Sequence, residues 1–325
     1  MMEKVAQDTA ISRRAAIGRL AAVGGAFLAW KFTPDLFAQT PPAPDAIAQM
    51  RKTMGGVPPV LSKLTDQIHL ISGPGGNIAV FTWPDGKLAV DSGIAGASEA
   101  ILGQIAALGP QSLRILVNTH WHFDHTDGNE SFRKKGALII AHENVRKRMG
   151  TAQEIDFFHI HIPASPDAAL PESSFPDGTT LDLGGEKIQV MHVDPAHTDG
   201  DSVVQFVQAN VVHAGDLFFS RTYPFIDYST GGKIDGMIEG ADRILKLADG
   251  NTKIIPGHGP VASVEELKQY RDMLVDITGN VRALKKQGKD LNAITTAKPT
   301  QKYDEKWGKG MLDAAGFTRV VFSSL

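Results

Sequence analysis

Short apolar runs bounded by turn residues recur along this chain, and they predict strands. Residues 68–71, 78–82 and 88–90 form the first three. Gly- and Pro-rich breaks at 73–76 and 84–86 separate them, as turns separate strands. Further runs stand at 115–117, 138–141, 181–183, 187–193, 203–206, 211–213 and 253–255. Helical periodicity, with apolar residues returning every three or four positions, predicts helices at 46–54, 97–108, 237–247 and 264–286. A shorter one opens at His142 and runs to Arg148. Gly55-Gly56 and Gly109-Pro110 end the first two. Residues 150–178 hold four prolines and no regular pattern; so long a loop in a compact domain is often functional. Two strand-rich blocks with helices between them predict an α+β sandwich of two sheets covered by helices.

The first 38 residues read differently. Ser12-Arg13-Arg14 precedes an Ala/Gly-rich apolar run at 20–30, then Lys31 and a small residue at Ala38. Eleven apolar residues are too few to span a bilayer, which takes about 20, but they suit the core of a signal peptide. The paired arginines resemble a twin-arginine export signal, with Ala15-Ala16 where a bulky apolar residue is usual. The expectation is a periplasmic mature protein without stable membrane insertion after cleavage. Residues 39–66 then read as a linker and the N-terminal helix, 67–262 as the main domain and 263–325 as a C-terminal helical extension packed on it.

Composition narrows the chemistry. The net charge of −3 over 325 residues argues against a nucleic-acid partner, which wants a basic footprint. There is no Cys, so any metal site uses nitrogen and oxygen donors alone.

Residues 115–129 hold the strongest signal. The apolar run 115–117 breaks into a polar loop with His120, His122, Asp124 and His125 within six residues. In an extended segment, residues two apart point the same way, so His120 and His122 can face one ion. Asp124 and His125 follow as the chain turns and can face a second point nearby. Three later strands also end in ligand types, at His197, Asp216 and His258.

This set resembles the metallo-β-lactamase superfamily. Thr119 to His125 fill its Thr-His-x-His-x-Asp-His motif at every position. His197-Thr198 resembles the Gly-His-Thr turn, with Ala196 for Gly. Gly215-Asp216 and Gly257-His258-Gly259 follow in family order. The resemblance implies a four-layer αββα sandwich and two Zn2+ per chain, with Fe or Mn as alternatives. His120, His122 and His197 would hold one ion. Asp124, His125 and His258 would hold the other, with Asp216 bridging. It also gives Asp124 a catalytic role in orienting a hydroxide, and Asp91 a role buttressing the metal loop.

Two metals sharing a water nucleophile imply hydrolysis at a carbonyl or phosphoryl centre. The substrate expected is a small cyclic amide or lactone, with β-lactams the leading candidate. The residues after His197, through Asp201-Ser202-Val203-Val204, resemble β-lactamases more than glyoxalases. The bridging Asp216, in contrast, resembles glyoxalase II-like thioester hydrolases and departs from β-lactamases that carry Cys there. A non-enzymatic metal-binding accessory protein is the third reading, and no missing ligand favours it. Arg221, Tyr223 and Lys233 are candidate substrate contacts, and the Gly-rich loop 72–77 is a candidate flap. His142 and His192 are expected in the core, and His213 as structural. Oligomeric state has no signature in the sequence.

Overall fold

A computed structural model describes residues 46–325. The export leader expected at 1–38 lies outside the described residues, as does the start of the linker. Among the described residues no helix is long and apolar enough to cross a membrane.

The chain opens with helix α1 (Ala46–Gly55) and then builds a sheet of seven strands. β1 (Val60–Lys63), β2 (Ile68–Ser72), β3 (Ile78–Trp83) and β4 (Gly86–Val90) run as an antiparallel meander. After helix α2 (Ser98–Ala107), β5 (Leu113–Val117) joins β4 in parallel. Two short helices follow the metal-type loop, α3 (Phe123–Thr126) and α4 (Asn129–Lys134), and β6 (Leu138–His142) then pairs parallel to β5. Past helix α5 (Glu143–Met149) the chain makes a separate hairpin, β7 (Gln153–Ile155) with β8 (Ile160–Ile162). β9 (Ser173–Phe175) returns to the edge beside β6.

The second sheet holds β10 (Gly178–Leu183), β11 (Glu186–His192), β12 (Ser202–Phe206), β13 (Val211–His213) and β14 (Lys253–Ile255). Its first four strands are antiparallel and β14 lies parallel to β13. Helix α6 (Ile234–Leu247) precedes β14. The chain ends in α7 (Val264–Lys286), α8 (Leu291–Thr296), α9 (Asp304–Trp307) and α10 (Ala314–Ser323).

Period-two alternation sorts the strand residues into layers. Ala79, Phe81, Leu88, Val90 and Val117 of the first sheet meet Ile188, Val190, Val204, Phe206 and Ile255 of the second. Their neighbours Ile78, Val80, Ala89 and Leu116 face the other way, onto Ile101 and Ile105 of α2 and Phe132 of α4. On the far side, Val203, Val212 and Ile254 pack under α6 and α7. Strands buried on both faces read as unbroken apolar runs, and the result is the αββα order expected.

Two stretches depart from the sequence reading. Residues 150–178 are not irregular throughout. Their apolar residues Ile155, Phe157, Phe158, Ile160 and Ile162 are buried as a hairpin wall, and period two over three residues is too short to register. β1 lies inside the stretch expected as linker and helix; Leu61 packs on the α2 layer while Val60 stays exposed.

Candidate metal centre

Two parallel strand pairs, β4 with β5 and β13 with β14, decide where the chemistry lies. Loops after β4 and β5 leave one sheet at the same end, and loops after β13 and β14 leave the other sheet beside them. Asp91, the 120–125 loop, Asp216 and His258 all emerge there, and the turn between β11 and β12 adds His197.

These loops bring together all seven residues expected as ligands. One donor atom each from His120, His122, His197 and Asp216 lies within 4.8 Å of the others, and the same holds for Asp124, His125 and His258. Asp216 stands between the groups. Its Oδ2 is 3.4 Å from His197 Nε2, and its Oδ1 is 3.2 Å from His125 Nε2. His258, with 26% of its side chain exposed, is the most open of the seven.

Four of the five imidazoles are oriented by a partner on the far nitrogen, as metal-ligating histidines are. His120 Nδ1 meets Thr119 Oγ1 at 3.0 Å, His125 Nδ1 meets Asp91 Oδ2 at 2.8 Å, and His197 Nδ1 donates to the Phe225 carbonyl at 2.8 Å. His122 presents Nε2 to Asp227 Oδ2 at 3.1 Å. Asp91 also accepts from the Thr119 N–H and Oγ1, both at 2.8 Å, and so holds both ends of the metal loop. It does this from a left-handed backbone, φ 65°, a strained conformation for a non-glycine residue.

The nitrogens left over define the fit to cations. A carbonyl and a carboxylate can only accept, so His197 Nδ1 and His122 Nε2 are donors. In neutral rings the opposite nitrogens then carry lone pairs. Those two, His197 Nε2 and His122 Nδ1, face each other at 2.8 Å. His120 Nε2 and Asp216 Oδ1 are buried without a hydrogen-bond partner. Converging lone pairs with no proton between them are what a divalent cation satisfies, and a nitrogen–oxygen set of this kind suits zinc. Room is kept for it: a Cβ on Gly257 would fall 1.8 Å from Asp216 Oδ1.

Charge divides the two groups. Burial pushes His197 down to about 4, and burial followed by the neighbouring His125 holds His120 well below its ordinary value. Both are neutral ligands at pH 7. In the second group burial acts the same way but is outweighed. The Asp216 and Asp124 carboxylates raise His258 to about 9 and His125 well above its usual range. Against burial, His125 and His258 lower Asp124 to about 2. The second group therefore requires positive charge beside its carboxylates.

The comparisons with known proteins agree with this geometry. The profile of the Metallo-beta-lactamase superfamily matches residues 72–286. The chain belongs to that superfamily. It is 22% identical over 53% of its length to the acyl-coenzyme A thioesterase MBLAC2 of Gallus gallus. It is 28% identical over 34% to a hydroxyacylglutathione hydrolase of Maricaulis maris, and 18% identical over 49% to the metallo-beta-lactamase type 2 of Bacteroides fragilis. The match spans 65%, 35% and 58% of those relatives. Among solved structures, a metallo-beta-lactamase from Pontibacter korlensis is similar at TM-score 0.55 and 17% identity, over 67% of this chain and 99% of that one. The sec-alkylsulfatase Pisa1 from Pseudomonas sp. gives 0.60 at 15% identity, over 81% and 50%. The structural likenesses show the shared fold. The hydrolase class expected from the sequence is the class these curated relatives' names carry.

Within this superfamily fold, the expected substrate contacts come out differently. Tyr223 is not available: it is fully buried, stacks on Phe317, and donates its hydroxyl to Asp304 Oδ1 at 2.8 Å. The apolar C-terminal helices hold its ring, through Phe317. Arg221 lies beside the His258 loop, where Ser220 N donates to the His258 carbonyl, but its guanidinium pairs with Glu266 at 3.2 Å. Lys233 is exposed at the start of α6, its backbone N–H donating to the Ala196 carbonyl at 2.7 Å. The loop 72–77 is no flap. Gly76 N donates to the Asp124 carbonyl, and the Asn77 amide donates to the Pro256 and Gly259 carbonyls at 2.8 Å each. A Cβ on Gly76 would lie 2.1 Å from His125 Cε1, so the loop is a floor under the ligand.

His142 caps α5 and His213 donates to the Asn77 carbonyl, as structural residues do. His192 is half-buried and stacks on His142 at 3.6 Å. Asp227 was not legible in the sequence as part of the site. It sits in an irregular stretch before α6, and only the fold brings it to His122.

Proposed function

We propose that this chain is an exported, dinuclear zinc hydrolase that cleaves an acyl–oxygen or acyl–sulfur bond of a small molecule, such as a lactone or a thioester. The observation that supports it is the pair of donor sets joined by Asp216, with lone pairs of His122 and His197 converging at 2.8 Å. Bound there, two cations supply Lewis acidity and a water of lowered pKa. The protein's part is to hold them. His120, His122 and His197 would offer three ring nitrogens, Asp124, His125 and His258 would close the second set, and Asp216 would serve both. Asp124, 12% exposed on its side chain, can also accept a hydrogen bond from a nucleophilic water and so orient it.

A lactam nitrogen is a poorer leaving group than an alkoxide or thiolate and gains more from a positioned proton donor. Tyr223, the hydroxyl expected as a substrate contact, is hydrogen-bonded to Asp304 instead. Arg221, which could have met a lactam carboxylate, pairs with Glu266. A bridging carboxylate together with relatives named for thioester hydrolysis also supports the ester-type reading. β-Lactam hydrolysis is the second reading, favoured by the match to the Bacteroides fragilis enzyme and by the residues after His197.

The test is one panel on the zinc-loaded mature chain: an acyl-homoserine lactone, S-lactoylglutathione, an acyl-coenzyme A and a chromogenic cephalosporin. The lactone or a thioester should show the highest kcat/KM. A cephalosporin turned over faster than the other three reverses the ranking, and no turnover of any substrate sinks the reading.

A further inference from the structure

α1 lies outside the residues the superfamily profile matches, yet it touches the metal loop. Ala46, Ile47, Met50 and Met54 pack on the cluster that contains Phe123, Ile160 and Ile162. At the end of α1, a Cβ on Gly55 would come within 3.2 Å of the Gly96 Cα, so the helix meets the backbone that follows Asp91. Between these anchor points Arg51 reaches inward. Its Nε donates to Asp127 Oδ2 at 2.7 Å and a terminal nitrogen donates to Oδ1 at 2.9 Å. Its guanidinium carbon stands 5.6 Å from the centre of the Phe123 ring.

Those two contacts bracket the single helical turn that carries Asp124 and His125. Phe123 begins α3, and the Asp127 N–H donates to the Phe123 carbonyl at 2.9 Å, closing the turn. One guanidinium therefore grips both ends of the element that supplies two of the second ion's ligands. From the inner side Gly76 and Ser92 hold the carbonyls of Asp124 and His125; Arg51 is the brace on the outer side. The first ion's histidines are oriented by Thr119, Asp227 and the Phe225 carbonyl instead. A bidentate guanidinium–carboxylate pair fixes angle as well as distance, and the Asp127 side chain is only 12% exposed.

We propose that Arg51 is a positioning residue for the second metal group, acting through Asp127 and Phe123 on Asp124 and His125. The inference rests on the two-cation reading above.

The test compares the mature parent with Arg51→Ala, Arg51→Lys and Asp127→Asn, each loaded with zinc and titrated with a chromophoric chelator. The parent should release two ions in separate steps. Arg51→Ala should lose affinity for one of them by about 10–100-fold, the range for removing an outer partner of a metal ligand, and keep the other unchanged. Arg51→Lys, which retains the charge without the fork, should fall between. Asp127→Asn should reproduce the selective loss, and adding it to Arg51→Ala should bring little further loss. Thermal unfolding of the chelated proteins separates this from general destabilisation, since the selective loss should appear in variants whose metal-free transitions stay close to the parent's. Two ions held as tightly as in the parent, or both weakened equally, would overturn the inference alone. A parent that binds fewer than two ions overturns the underlying reading and this inference with it.

Discussion

A histidine can ligate through either nitrogen, and here the neighbour on the far side decides which. His122 is the clearest case, because Asp227 takes Nε2 and leaves Nδ1 to face His197. Asp227 in turn accepts hydroxyl bonds from Ser229 and Thr230. Replacing it with Asn removes the charge that keeps the proton on Nε2. Asp227→Asn should weaken one ion by about 10–100-fold with little change in metal-free stability; competition against a chelator measures this, and parent-like affinity would refute the orienting role. Protons give a second prediction. His258 is raised to about 9 and so carries a proton at pH 7, whereas His197, lowered to about 4, does not. A cation entering the second group must displace that proton and the one held by His125, which is also raised well above its ordinary value, so its affinity should rise with pH through about 9. The first group, whose His197 and His120 are lowered instead, should depend less on pH in that range. Calorimetry in buffers of different ionisation heat should find proton release with one ion and little with the other. Equal release from both would contradict the assignment.

The elements that were legible are those whose pattern is set by burial on both faces. The runs 78–82, 88–90, 115–117, 203–206 and 211–213 are apolar because each side meets a packed layer, and the ligand types follow the strand ends. What could not be read depends on partners distant in sequence. Asp227 has an unremarkable neighbourhood until the fold sets it against His122, 105 positions earlier. Tyr223 looks like a loop hydroxyl until α9 brings Asp304 to it. Loop 72–77 looks flexible because of its glycines, yet Gly75 and Gly76 are small so that backbone can lie against Asp124 and the His125 ring. Gly76→Ala tests this element directly. The added methyl has no space at 2.1 Å from His125 Cε1, so the ring or the loop must move. Overpacking of this kind costs about 1–3 kcal/mol and should also reduce binding at the second metal group. A variant with parent-like melting temperature and metal content would show the loop to be pliable after all.

At the scale of the whole molecule, the metal centre is a junction of layers. Ions that bind the folded chain and not the unfolded one stabilise it by mass action. Chelation should lower the Tm by about 5 °C or more, and added zinc should restore it; a Tm indifferent to chelator would contradict tight loading. The expected export signal belongs to this scale too. Mass spectrometry of the secreted form should find an N-terminus near Gln39, and an intact Met1 in a membrane fraction would exclude cleavage.

The distribution of ligands between the sheets carries one more consequence. His120, His122, Asp124 and His125 follow β5 of the first sheet, while His197, Asp216 and His258 come from loops of the second. Each donor set thus draws on both sheets, and neither half owns a complete set. The chain crosses from the first sheet to the second between β9 and β10, at Pro176-Asp177. In the language of assembly, the cations are the fasteners of a two-piece joint. A chain divided between its two ligand sets would present complementary half-sites, and zinc would act as the reagent that selects one half for the other.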